Sequence, residues 1–192
     1  MISPPENTPD TDHFLTLIFE TREPTDILGQ NSALYKTQVG SNILLTVSKD
    51  GNPNKSVEIT SFKAPKIIDS LSNLNFSLIL QNNGNSFWKP TGKIIVLGTN
   101  IDSNLTLAPV NVVSGYSRNI PCIQNEELIE CKITKKPLIG IYRVNLEFRM
   151  DEGAEVKNLE ITTLAFPFSL IAIGLFLYLL ISRLNKYLTR KK

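Results

Sequence analysis

Two cysteines, one histidine, two carboxylate clusters and an adjacent Phe-Trp pair are the residues of this 192-residue chain whose types could carry chemistry. Cys122 and Cys131 flank a segment that reads as a hairpin turning at Glu126-Glu127, and in a two-residue-loop register position 122 faces position 131. That register permits a cross-strand disulfide, with two free thiols as the alternative. His13 stands beside a polar, proline-rich lead, a poor place to preorganise a general base, so it reads as a surface residue at a strand start. Two cysteines and one histidine without short ligand spacing argue against a structural zinc site. Glu126, Glu127 and Glu130, and separately Asp151, Glu152 and Glu155, offer oxygen ligands, but neither cluster has the spacing of a calcium loop, and both read as solvated turns. Gly84 and Gly92 lack the Lys-Ser/Thr pair and helix start of a phosphate cradle. No catalytic, metal-binding or cofactor-binding set emerges, and the chain reads as a non-enzymatic protein without a cofactor. The remaining handle is Phe87-Trp88, a candidate partner contact in a turn region between Ser86 and Lys89. A Trp there either plugs the end of a β-domain or stacks on a sugar ring or a partner surface. Asn54, Asn75 and Asn104 open Asn-x-Ser/Thr triplets, which accept glycans in a eukaryotic secretory pathway.

The element that places these residues is an apolar stretch. Residues 164–182, LAFPFSLIAIGLFLYLLIS, run nineteen positions without a charge. At about 1.5 Å of rise per residue that is enough helix to cross a hydrocarbon core of roughly 30 Å. Pro167 is tolerable in its first turn, and Tyr178 and Tyr187 read as interfacial rings. Residues 183–192 follow with Arg183, Lys186, Arg190, Lys191 and Lys192 and no acid, which predicts a cytoplasmic C-terminus and an extracellular N-terminus at the cell membrane. Subtracting those five cations from the twenty in the chain leaves fifteen Lys and Arg against eighteen Asp and Glu in residues 1–163, a net −3. A nucleic-acid-binding surface is therefore not expected, and the lipid bilayer is the first partner. The polar, Pro-rich lead lacks a cleavable apolar signal, which favours a chain cut from a longer precursor.

Before the anchor the pattern is all-β. Runs rich in Ile, Val, Leu, Thr and Phe fall at 14–19, 43–48, 57–62, 76–80, 93–97, 105–107, 111–113, 117–122, 128–133, 141–148 and 159–163, separated by Gly, Pro, Asn, Asp or Ser clusters. In the longest run Tyr142, Val144, Leu146 and Phe148 share one face while Arg143, Asn145 and Glu147 share the other, as in a half-buried antiparallel strand. Turn chemistry marks Asp50-Gly51-Asn52, Asn82-Asn83-Gly84-Asn85 and Lys89-Pro90-Thr91-Gly92. The expected organisation is a disordered lead (1–12), a partial β-domain or extra strands (13–65), an immunoglobulin-like antiparallel β-sandwich (66–163), one transmembrane helix (164–182) and a basic tail (183–192).

The order HFLTLIFE, VGSNILLTV, FSLILQNNGNSFWKPTGKIIVLG, the Gly-Ile-Tyr of residues 140–142, then an apolar anchor with a basic tail resembles the C-terminal portion of bacterial single-pass surface proteins of the WxL-interacting type. Asn83, Gly84, Asn85, Lys89, Pro90, Gly92 and Ile94 match the N-x-G-N…K-P-x-G-x-I element of that resemblance. It implies a peptidoglycan-binding β-domain, a second immunoglobulin-like domain and a membrane anchor, with residues 14–65 as the terminal strands of the first. It also implies adhesion or cell-wall contact. The expected function is a membrane-anchored surface β-sandwich that binds a cell-wall polymer or a surface protein through its loops or a free strand edge. The alternative is an accessory single-pass subunit of a membrane complex, for which Ser169, Ala172 and Gly174 would permit close helix approach.

Overall fold

Alternation of side chains builds the molecule. The computed structural model describes residues 4–21, 37–150 and 156–189. Among them are β1 (Asp12–Glu20), β2 (Gln38–Thr46), β3 (Val57–Lys63), β4 (Ile67–Asp69), β5 (Leu74–Asn75), β6 (Ser77–Asn82), β7 (Thr91–Gly98), β8 (Ile101–Leu107), β9 (Ser117–Asn119), β10 (Cys122–Gln124), β11 (Glu127–Ile129), β12 (Lys132–Ile133), β13 (Gly140–Arg149), β14 (Lys157–Phe166) and the helix α1 (Phe168–Thr189). In β13, Tyr142, Val144, Leu146 and Phe148 are buried while Ile141, Arg143 and Arg149 are exposed, the two-residue period read from the sequence.

The strands pair into a seven-stranded sheet, β11-β10-β8-β7-β13-β14-β4, and a three-stranded sheet, β3-β6-β9, with β5 and β12 paired separately. Consecutive strands β6 and β7 lie in different sheets, the β13–β14 hairpin returns beside β7, and β8 extends that sheet outward. β4 runs parallel along β14, with Leu164 opposite Ile67. This is an immunoglobulin-like antiparallel β-sandwich followed by one apolar C-terminal helix. Leu74, Leu80, Ile94, Val96, Leu138, Tyr142, Val144 and Leu146 are completely buried in its core. Each contributes on the order of 1.5–3 kcal/mol of apolar burial.

Several elements fall differently from the sequence reading. The run 117–122 is two strands in two sheets, because Pro121 has no N–H to donate and the chain crosses there: Ile120 N–H donates to Leu78 O, and Ala108 N–H to Pro121 O. The run 128–133 likewise divides into β11 and β12. Residues 111–113 form only a bridge, Val112 to Trp88. Thr91 and Gly92 already belong to β7 and not to a turn. A Cβ on Gly92 would lie 2.2 Å from Glu147 O, so this glycine admits the neighbouring strand.

The helix starts at Phe168, four residues later than the hydropathy of 164–182 suggests. Leu164, Ala165 and Phe166 instead complete β14, all three paired with β4 and the first two also with β13. α1 is 22 residues long and its stretch Phe168–Tyr187 is long and apolar enough to span a membrane. Arg183 and Lys186 lie inside the helix, and Tyr178 falls near its middle, about 15 Å from its start. Arg190, Lys191 and Lys192 lie outside the described residues.

Candidate functional site

Strands β1 and β2 form a two-stranded ribbon of their own, in register from Asp12 opposite Thr46 to Glu20 opposite Gln38. On one face the period of two collects Leu15, Leu17 and Phe19 with Ile43 and Val39 across from them; on the other it collects Phe14 and Ile18 among Thr16, Asn42 and Gly40. A folded chain normally covers such a stripe, yet Phe19 and Val39 are each 62% exposed, and Leu15 and Leu17 are also exposed. Two strands alone are marginal in water, and among the described residues no third strand pairs with the ribbon.

A polar joint fixes its base. Val47 N–H donates to Thr11 O, and the Asp12 carboxylate accepts from Thr46 Oγ1 at 2.6 Å and from Ser114 N–H at 2.9 Å. Thr11 Oγ1 donates to Ser114 Oγ at 3.2 Å, and Ser114 Oγ passes the link on to Gly84 O at 2.8 Å. Gly84 sits in the loop after β6, which is organised by Asn82. This fully buried amide donates to Ser86 O and Val112 O, each at 2.9 Å, and accepts from Gly84 N–H at 2.9 Å. A Cβ on Gly84 would stand 2.4 Å from Asn54 O and 2.7 Å from Ser56 N, so the loop lies flat on the β2–β3 connection. The Asn-Gly-Asn segment thus anchors the ribbon to the sandwich. The sequence marks Asn82 only as a turn residue, and it does not mark Asp12 and Ser114, whose partners are distant in the chain.

The register says which end of the sandwich this is. β7 opens at Thr91 opposite Arg149 and closes at Gly98 opposite Tyr142, while Gly140 faces Ala165 just before the helix. Loop 83–90 and the ribbon base therefore lie at one end of the sheet, and α1 leaves from the other, about 25 Å away.

At the helix end, Pro167 is the one residue between β14 and α1, and its carbonyl accepts from Ile171 N–H at 3.0 Å. Asp69, at the end of β4, accepts from Ser169 N–H at 2.7 Å and from Leu71 N–H at 2.9 Å. These bonds, the one from Ser169 first, hold its carboxyl below the ordinary value of 3.8. A carboxylate thus satisfies an otherwise unpaired donor of the first helical turn and opposes the helix dipole. Tyr142 secures the same end: a Cβ on Gly98 would lie 2.2 Å from its ring, its hydroxyl donates to Asn100 Oδ1, and that hydroxyl accepts from Ile139 N–H at 3.0 Å.

The residues picked from the sequence are scattered. Cys122 and Cys131 are joined in a disulfide with Cα atoms 5.0 Å apart, but not as facing residues. Asn125 (φ 49°) and Glu126 (φ 67°) make the turn, so Cys122 faces Ile129 and the bridge ties β10 to the chain leaving β11. Two consecutive positive φ values suit a tight hairpin, and Asn tolerates that conformation, which moves the turn one residue toward the N-terminus. Trp88 is 2% exposed, its ring 5.9 Å from that of Phe148, so it plugs the sandwich and presents no stacking surface. Phe87 is half-buried beside a cleft of about 440 Å³ that Thr46, Pro53 and Lys55 also line, beneath the ribbon. His13 donates from Nε2 to Pro9 O at 3.1 Å. Glu130 pairs with Lys132 at 3.0 Å, and among the described residues no three His, Cys, Asp or Glu gather as metal ligands. Asp151, Glu152 and Glu155 lie outside the described residues.

No protein-family profile matches this chain, and no curated protein does. Among solved structures it is similar to the CARDB domain of a Pyrococcus furiosus protein in complex with di-metal ions, at 14% identity and a TM-score of 0.38, over 64% of this chain and 100% of that one. It is also similar to part of a Listeria innocua beta-glucosidase solved with glucose, at 12% identity and a TM-score of 0.33, over 59% of this chain and 16% of that one.

Proposed function

We propose that the chain is a non-enzymatic, single-pass surface protein that stands an immunoglobulin-like sandwich on the bilayer and binds a protein partner through the β1–β2 ribbon. The observation that carries this reading is the exposed stripe of Leu15, Leu17, Phe19 and Val39 on a ribbon whose base is firmly tied to the sandwich. Of the two ligand classes expected from the sequence, an apolar stripe with few hydrogen-bonding side chains suits a protein better than a polar cell-wall polymer. The partner adds strands or an apolar face, and main-chain pairing at a ribbon edge, where no third strand lies among the described residues, supplies affinity without a side-chain motif. α1 supplies the tether, and the ribbon stands at the opposite end of the sandwich, where a second surface molecule can reach it.

Photo-crosslinking in native membranes tests this. A photoreactive side chain in place of Phe19 or Val39 should give a discrete protein adduct, and one in place of Asn145, midway along β13 in the seven-stranded sheet, should not. A ladder that collapses on muramidase digestion would return the site to a cell-wall polymer. Absence of any adduct at both ribbon positions would end the proposal.

A further inference from the structure

The outward face of the seven-stranded sheet changes character along its length. On β13 and β14 its middle is polar, with Lys93 of β7 beside Glu147 at 3.2 Å, Asn145 opposite Glu160 and Arg143 opposite Thr162, while on β7 Ile95 and Leu97 stand opposite Asn145 and Arg143. At the last level before the helix β13 and β14 turn apolar as well. Ile141 faces Leu164, and Leu164 faces Ile67, a row across three strands in which Ile141 is 61% and Ile67 58% exposed. Phe166 continues the row on the same side of β14 and packs its ring 4.6 Å from that of Phe168, the first residue of α1. Nothing in the sandwich requires these side chains to be apolar, since the core lies on the other face, where Ile68, Tyr142 and Ala165 are buried.

We propose that this row, Ile67, Ile141, Leu164 and Phe166, is seated in the interfacial layer of the outer leaflet, with Arg143 one level above it at the depth of the lipid phosphates. The inference rests on the membrane-spanning reading of α1. Three observations choose lipid as the occupant. The row is continuous, through the Phe166–Phe168 ring pair, with the surface of the apolar helix. One residue separates β14 from α1, and the Asp69 to Ser169 bond closes that joint, so the row cannot swing away from the bilayer surface. Arg143 lies two residues from Ile141 along β13, about 7 Å, on the same outward face, a spacing suited to an anionic headgroup above an apolar contact. The contact adds apolar burial to the tether and fixes the angle at which the sandwich presents its far end.

The test uses the full chain reconstituted in phosphatidylcholine–phosphatidylglycerol vesicles, with and without dibrominated acyl chains, and reads quenching of a tryptophan introduced one position at a time. Trp88, buried at the far end, supplies a constant background. Ile141→Trp and, independently, Leu164→Trp should lose roughly half of the added emission, as expected for a ring in the acyl boundary, whereas Glu160→Trp on the same face should keep it. Leu175→Trp, within α1, reports the span itself. Quenching at 175 with neither 141 nor 164 quenched would overturn the seating and leave the span intact. No quenching at 175 would overturn both.

Discussion

Replacing Asn82 by alanine should destabilise the sandwich far more than the same change at Asn83, one residue away. The side chain of Asn82 is wholly buried and makes three hydrogen bonds, whereas Asn83 is exposed and reaches only Glu58, at 3.2 Å. Alanine at 82 leaves Ser86 O and Gly84 N–H without their partners, while Val112 O keeps its bond from Trp88 N–H at 3.3 Å. Each group left unsatisfied costs about 1–3 kcal/mol, and Gly84, being half-buried, recovers part of its share from water, so the total is about 2–4 kcal/mol. At a urea dependence of roughly 1–3 kcal/mol per molar, the unfolding midpoint should fall by about 1–2 M, against a change within about 0.5 kcal/mol for Asn83→Ala. Trp88, the sole tryptophan and buried in the same region, reports the transition by fluorescence. Equal midpoints for the two variants would refute the claim that Asn82 organises this end of the molecule.

Three further outcomes follow from the packing. Gly98→Ala drives a Cβ to 2.2 Å from the Tyr142 ring and should cost about 1–3 kcal/mol in thermal unfolding, with Tyr142→Leu relieving the clash. Reducing the Cys122–Cys131 bridge, which closes a loop of nine residues in sequence separation, should cost about 2.5 kcal/mol on the chain-entropy account, read as a lowered urea midpoint with the Trp88 signal otherwise native. The Asp69 carboxyl titrates below 3.8 in the folded chain, so its support of the helix joint is present above that value and lost as the pH falls through the depressed one. The stability difference between the native chain and Asp69→Asn should therefore shrink below pH 3.8, and a difference that grows there would contradict the assignment.

The longest strand could be read directly because burial on one face writes itself into alternation, as in β13, whereas β7 showed only as a continuous apolar run. The anchor was legible as apolar length but its start was not. Leu164, Ala165 and Phe166 serve equally as strand or helix in hydropathy, and what decides is pairing to Gly140 and Asp69, which no local pattern displays. Pro167 was the better boundary signal, since proline suits the start of a helix. The three residues of β4 and the two of β5 are too short to carry a period. At the hairpin the sequence allowed the disulfide through a register in which 122 faces 131; the bond forms although the register is shifted, because proximity suffices and the turn follows the tolerance of Asn125 for positive φ. For the ribbon, residues 14–19 announced a strand, but its remaining uncovered is a tertiary fact. The joint through Asp12, Ser114 and Gly84 spans about a hundred residues of sequence.

The central claim, that the ribbon is a sheet awaiting a partner, is tested most directly by amide hydrogen exchange of Leu15, Leu17, Phe19 and Val39 in detergent-purified protein and in native membranes. An unpartnered two-stranded ribbon should exchange freely once purified and slow by at least about tenfold where the partner is present, while the amides of β13 stay unchanged. Identical rates for the ribbon in both settings would contradict the account.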